Sequence, residues 1–209
     1  MTYRFVVFDF DGTLADSFPW FLRTFNGLAG KYRFRPITPD EVDALRGLGS
    51  RELVAHLQLP MWKVPMVTAE MRRRMTEQVP EIPLFEGVDR LLVRLHEHGI
   101  ETAVLTSNTR ENVQRILGPH NTALIRHFEC GVSIFGKEAR FRKLVRRARA
   151  DPARVLCVGD EIRDAQAAAA AGLAFAGVAW GYTRPDVLAL HSKFAPFHTT
   201  GEIGDMLCG

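Results

Sequence analysis

Asp9 and Asp11 close an apolar run with two carboxylates one residue apart, in the stretch FVVFDFDGTLAD. Residues i and i+2 of an extended chain face the same way, so both can address one site while Phe10 packs on the other side. Like charges at such range repel and disturb each other's ionisation. A cation, a reacting group or both would account for placing them together. Gly12 permits a tight turn directly after them. An EF-hand does not fit, because Gly12 falls at loop position 4 and not 6.

Three further groups follow apolar runs. Thr106, Ser107 and Asn108 follow ETAVL and precede a helix expected from near Arg110. Hydroxyls and free N–H groups at a helix start make an anion site, and the same residue types serve as plain N-caps. Lys137 follows GVSIFG and, taken alone, reads as a solvated lysine. Asp160 and Asp164 follow RVLCVG. With a helix starting between them both carboxylates face one site; otherwise Asp160 is an N-cap and Asp164 a surface residue. Together the four groups form an oxygen-rich, histidine-free set that suits Mg²⁺. A lysine and a hydroxyl beside that ion suit a phosphoryl group.

The elements that must position these groups alternate. The runs RFVVF, ETAVL, GVSIF, RVLCV and AFAGVAW are separated by the helix-like segments VDRLLVRLHEHG, RENVQRILG, ARFRKLVRRARA and DAQAAAAAG. Near-continuous apolar strands between helices predict an α/β fold, a parallel sheet covered on both faces. In such sheets ligands bind beyond the carboxyl ends of the strands. From about Ser17 to Pro80 no strand is expected; Pro36, Pro39, Gly49, Pro60 and Pro65 punctuate several helices. The main domain is therefore discontinuous, and the helical insertion leaves the sheet directly after the paired aspartates.

A chain of 209 residues with 46% hydrophobic content can bury one sizeable core and a small satellite domain. A net charge of +3 demands no nucleic-acid partner. No apolar stretch approaches the roughly 20 residues of a membrane span, and Asp9 comes too early for a secretory signal. Cys130, Cys157 and Cys208 are few and widely spaced, which suits a reducing cytoplasm. The histidines and cysteines show no paired zinc spacing. The basic stretch KEARFRKLVRRARADPAR reads as a solvated helix face.

The segments DFDGTLAD, VLTSN, FGK and VGDEIRD, in that order, resemble the four motifs of the haloacid dehalogenase-like superfamily, and the chain is most similar to its phosphoglycolate phosphatase-like members. The resemblance runs through nearly the whole chain. It implies a Rossmann-like core of residues 1–15 and 81–209 and a small all-helical C1-type cap of residues 16–80. It also implies a phosphatase that hydrolyses a small phosphorylated metabolite through an aspartyl-phosphate. Asp9 would be the nucleophile and Asp11 the general acid and base. Mg²⁺ would be held by Asp9, the Asp11 main-chain carbonyl and Asp160, with Asp164 orienting that shell. Thr106, Ser107, Asn108 and Lys137 would stabilise the phosphoryl oxygens. Haloacid dehalogenases attack carbon with one aspartate in the first motif, so Asp11 points to phosphoryl chemistry. A phosphomutase and a non-catalytic phospho-ligand module remain alternatives. In the cap, LRGLGSRELVAHL offers Gly47 and Gly49 for close backbone approach, Ser50 as an N-cap and Arg51 for leaving-group recognition. Trp20 and Phe21 either wall the substrate or pack inside the cap.

Overall fold

The computed structural model describes residues 3–132 and 137–209. Five strands, β1 (Phe5–Phe8), β2 (Glu101–Leu105), β3 (His127–Glu129), β4 (Val155–Gly159) and β5 (Ala174–Gly177), form one parallel sheet in the order β3-β2-β1-β4-β5. The sheet is an α/β arrangement with β1 at its centre. Phe8 lies opposite Val104 on one side and Val158 on the other. The chain grows outward from β1 in both directions, so the crevice beyond its carboxyl end is a topological switch point.

Alternation along β1 divides the core. Val6 and Phe8 join Val104, Leu156 and Val158 in one apolar cluster. Phe5 and Val7 join Ala103, Leu105, Val155 and Cys157 in the other. Cys157 lies opposite Val7 of β1 and Phe175 of β5 and is buried.

Between β1 and β2 the described chain carries α1 (Phe18–Asn26), α2 (Ala29–Tyr32), α3 (Val42–Leu45), α4 (Ser50–His56), α5 (Val64–Glu77) and α6 (Val88–Glu97), with short 3₁₀ turns between some of them and no strand. Val64, Val67, Met71 and Met75 recur on α5 at helical spacing and are buried. Its outer face carries Arg73 and Arg74, both paired with Glu70. The apolar cluster on the Val6 face of the sheet extends into these helices through Leu45, Val64 and Met71. After β2 come α7 (Arg110–Leu124), α8 (Lys137–Ala148), α9 (Ile162–Ala170), α10 (Pro185–Ala189) and α11 (Thr200–Cys208). Among the described residues no helix is long and apolar enough to cross a membrane.

Three expectations shift. The third strand lies at His127–Glu129, ahead of GVSIF, and pairs with Ala103–Leu105. Its sequence, HFE, carries no apolar run; register with β2 and the ion pair of buried Glu129 with Arg140 (2.8 Å) hold it. Of GVSIF, Gly131 and Val132 lie outside any strand, and Ser133–Phe135 lie outside the described residues, as does Gly136. The run AFAGVAW stops being strand at Gly177, and Val178 makes an isolated bridge to Phe197. The helix that opens with RENVQRILG continues to Leu124 across a kink at Gly118 (φ 72°, ψ 169°), directly before Pro119.

Candidate active site

The strand ends bring the expected residues together from across the chain. β1 delivers Asp9, whose N–H bonds the Val158 carbonyl at 2.9 Å, so the backbone leaves the sheet in register with β4. Gly12 then turns with φ +79°, and a side chain there would meet Asp160 Oδ2 at 2.3 Å. Glycine is required by both conformation and space. The turn carries Thr13 to Asp160, where its hydroxyl donates to Oδ1 at 2.6 Å. The Tyr182 N–H donates to Asp160 Oδ2 at 2.8 Å.

Lys137, at the start of α8, is 3% exposed. Its ammonium lies 2.5 Å from Asp9 Oδ2 and 2.6 Å from Asp164 Oδ1. The solvated reading of Lys137 therefore fails. α9 begins at Ile162, between Asp160 and Asp164, and its first turn directs buried Asp164 inward. Glu161, not Asp160, occupies the N-cap position. Carboxylate oxygens of Asp9, Asp160 and Asp164 all lie within 4.8 Å of one another. This all-oxygen donor set, with Asp160 completely buried, fits a hard divalent cation such as Mg²⁺.

Electrostatics follow from burial and from charges of both signs. Burial lifts the Asp9 carboxyl to about 7; Lys137 pulls it down, and Asp164 pushes it up. Asp160 is raised by burial and by Glu161, Asp9 and Asp164. Burial also acts to raise Asp164, but the cations of Lys137 and Arg163 outweigh it and hold Asp164 below the usual carboxylate range. Burial disfavours the Lys137 ammonium, yet Asp164 and Asp9 keep it protonated. Asp11 is raised by burial against hydrogen bonds from Ser17 and Asn108.

Beyond β2, Thr106 and Asn108 are buried. The residue that caps α7 is Thr109, whose hydroxyl accepts from Asn112 N at 3.2 Å, so the capping reading of Thr106, Ser107 and Asn108 gives way. Thr106 Oγ1 instead accepts from Asn108 N at 3.0 Å. The Asn108 amide donates to Asp11 Oδ2 at 3.2 Å, while its oxygen accepts from Thr109 N and from Asn112 Nδ2. Ser107 and Asn108 line a cavity of about 260 Å³ together with Asp11.

The inserted helices place their candidates differently. Trp20 is 2% exposed and donates to Gln78 Oε1 at 2.9 Å, which is packing within the helices; it and Phe21 also border the Asp11 cavity. Gly47 sits against Arg184 and Val187 and borders neither that cavity nor the second cleft. Gly49, not Ser50, is the N-cap of α4, and its N–H is taken by Glu52 Oε2 at 2.9 Å. Arg51 is in the first turn as expected and borders the second cleft, of about 700 Å³, shared with Lys137 and Arg163.

Sequence reasoning missed Thr13, Arg46, Arg72, Arg163 and Tyr182. Arg163 pairs with Glu161 and borders both openings; its place inside GDEIRD was the available signal. Arg46 donates to the carbonyls of Gly181 (2.8 Å) and Tyr182 (3.1 Å), fastening the inserted segment to the loop over Asp160.

Residues 6–178 match the family described as haloacid dehalogenase-like hydrolase. The phosphoglycolate phosphatase of Synechococcus elongatus is 33% identical over 178 residues, 85% of this chain and 84% of that protein. That of Xanthomonas campestris is 32% identical over 195 residues, 88% of this chain and 86% of that protein. Among solved structures, a haloacid dehalogenase-like family hydrolase from Streptococcus pneumoniae shares the fold at a TM-score of 0.79 and 16% identity, with 98% of each chain covered. CbbY from Rhodobacter sphaeroides, solved with phosphate, does so at 0.69 and 22% identity, covering 88% of this chain and 89% of that one. With its paired aspartates on the central strand and its match running from β1 past β5, the chain belongs to the haloacid dehalogenase-like hydrolase family.

Proposed function

We propose that the protein is a Mg²⁺-dependent phosphatase that hydrolyses a small organic phosphomonoester in the cytoplasm through an aspartyl-phosphate on Asp9. The observation that carries the reading is the Asp9 carboxylate, held 2.5 Å from the Lys137 ammonium within the Asp9, Asp160 and Asp164 cluster. The phosphoglycolate phosphatases among its relatives support the substrate class. Residues 16–80 act as a helical cap on a core of residues 1–15 and 81–209.

One Asp9 oxygen attacks phosphorus and the ester oxygen leaves. Asp11 gives that oxygen a proton, then takes one from the water that cleaves the acyl-phosphate. Burial, which raises the Asp11 carboxyl, favours the protonated form that this role requires. Lys137 and the Thr106–Asn108 loop stabilise charge on the phosphoryl oxygens. Asp9, the Asp11 carbonyl and Asp160 would hold Mg²⁺, with Asp164 beside them. Bound there, the ion offsets the repulsion between an anionic nucleophile and an anionic ester. Thr13 and Tyr182 N–H fix the Asp160 carboxylate for that task.

Asp9→Asn tests the reading. A neutral amide is a poor nucleophile, so steady-state hydrolysis of p-nitrophenyl phosphate is expected to vanish while the circular dichroism spectrum stays that of the native fold. Near-native turnover by that variant would overturn the mechanism.

A further inference from the structure

The 260 Å³ cavity opens from Asp11, Ser107 and Asn108 into the inserted helices. Away from those polar residues its walls are largely hydrocarbon: Leu45, Leu53, Val54, Val67 and Met71 come from α3, α4 and α5. Three rings also line the cavity. Phe18 and Phe21 both meet Tyr182 edge to face, at centroid distances of 4.9 and 5.4 Å. Each ring braces the next, so this wall exists before any ligand arrives.

The cations at the cavity are partly committed. Arg46 donates from Nη2 to the Gly181 carbonyl and from Nε to the Tyr182 carbonyl, and lies 5.7 Å from the centre of the Phe18 ring. Arg163 pairs with Glu161 through Nη2 but keeps a buried Nε without a hydrogen-bond partner. Arg72 retains a buried Nε without a hydrogen-bond partner, and the negative charge it feels is that of Asp11. A small anionic leaving group would find open cationic donors at Arg72 and Arg163, but beside the Asp11 and Glu161 carboxylates that repel it, and largely hydrocarbon elsewhere, where its desolvation is costly. A hydrocarbon body gains by the same transfer. For scale, a dry cavity of about 150 Å³ walled by Leu, Ile and Phe accepts a benzene-sized guest, so the space here takes an aromatic ring or a medium alkyl chain.

We propose that the preferred substrates are phosphomonoesters of apolar primary alcohols, alkyl or arylalkyl, whose carbon body fills this cavity while the phosphoryl group meets Asp9. This rests on the phosphatase reading above and selects within it.

The test uses primary alkyl phosphates from methyl to hexyl, with 2-phenylethyl phosphate and 2-phosphoglycolate, all assayed with Mg²⁺. Leaving-group basicity changes little along the alkyl series, so kcat/KM reads the cavity. An increase of up to about fourfold per buried methylene is expected, with hexyl and 2-phenylethyl phosphate above 2-phosphoglycolate. In Val54→Phe, which fills the cavity from α4, the ratio of hexyl to methyl phosphate kcat/KM is expected to fall at least tenfold. Short phosphomonoesters turned over with no rise along the series, or 2-phosphoglycolate preferred to hexyl phosphate, would overturn this inference and leave the phosphatase standing. An unchanged ratio in Val54→Phe would also overturn it. Hydrolysis of no member at all would overturn the phosphatase reading and this one with it.

Discussion

The Thr76 hydroxyl donates to Asn112 Oδ1 at 2.7 Å, joining α5 of the inserted segment to α7 of the sheet domain. Asn112 is completely buried, and its amide donates to the Arg72 carbonyl and to Asn108 Oδ1, each at 3.1 Å. Because the Asn108 oxygen is engaged in this way, its NH₂ group faces Asp11. The position of the inserted helix α5 is thus connected, through three hydrogen bonds, to the proposed proton donor.

Asn112→Ala removes these bonds and leaves buried partners unmatched. A destabilisation of about 1–3 kcal/mol is expected, together with a fall in kcat larger than any change in KM for p-nitrophenyl phosphate. Denaturant unfolding and steady-state kinetics below the transition check the two effects separately. Lost stability with full kcat would disconnect Asn112 from the chemistry.

The buried carboxylates predict how Mg²⁺ and pH act on stability. Asp9 titrates at about 7 in the folded protein against 3.8 for an ordinary aspartate. Between those values the folded state keeps a proton that the unfolded chain has released. The stabilisation from this group is therefore complete below about pH 4 and is lost as pH rises through about 7. Asp160, also raised, acts with the same sign. Asp164, lowered, acts with the opposite sign, and its contribution is lost only as pH falls below the ordinary carboxylate range. Since the proposed Mg²⁺ would bind the ionised cluster, it is expected to raise Tm more at pH 8 than at pH 5, and EDTA to abolish both the shift and the activity. Equal shifts at the two pH values, measured by calorimetry, would remove the carboxylates from the metal site.

Arg51 borders the cleft that contains Lys137 and lies outside the lining of the apolar cavity. A carboxylate-bearing leaving group would reach it from that side. Arg51→Ala is expected to lower kcat/KM for 2-phosphoglycolate relative to hexyl phosphate by about 1.5–3 kcal/mol, the worth of a hydrogen bond to a charged group. A constant ratio would end the case for Arg51 in specificity.

Asp9, Asp11 and Asp160 were legible because each follows an apolar run closely, and the end of a buried parallel strand is where a chain can present a charge; Lys137, which opens α8 and follows no described strand directly, was legible only through the family resemblance. The inserted helices were legible from their prolines and from the lack of apolar runs. The third strand was not, since HFE earns its place from pairing with Ala103–Leu105 and from arginines on α8, both contributed from outside it. Arg46, Arg72 and Tyr182 were invisible for a related reason. Their roles come from the docking of helices against a distant loop, and no local spacing encodes that. Ser50 and Gly49 exchanged roles because Glu52 caps the helix backward, which leaves the N-cap position free to be glycine.

Cys157 has a consequence of another kind. Its thiol is buried in β4 between two neighbouring strands, and burial pushes its pKa far up; burial raises Cys130, to about 11, and Cys208 as well, but both are only half-buried. A maleimide or disulfide reagent consumes thiolate, so it meets the two outer thiols first and Cys157 only when the strands part. In a protein lacking Cys130 and Cys208, the slow alkylation of this one sulfur would be a clock for the opening of the sheet, readable by mass and independent of whether the enzyme is turning over.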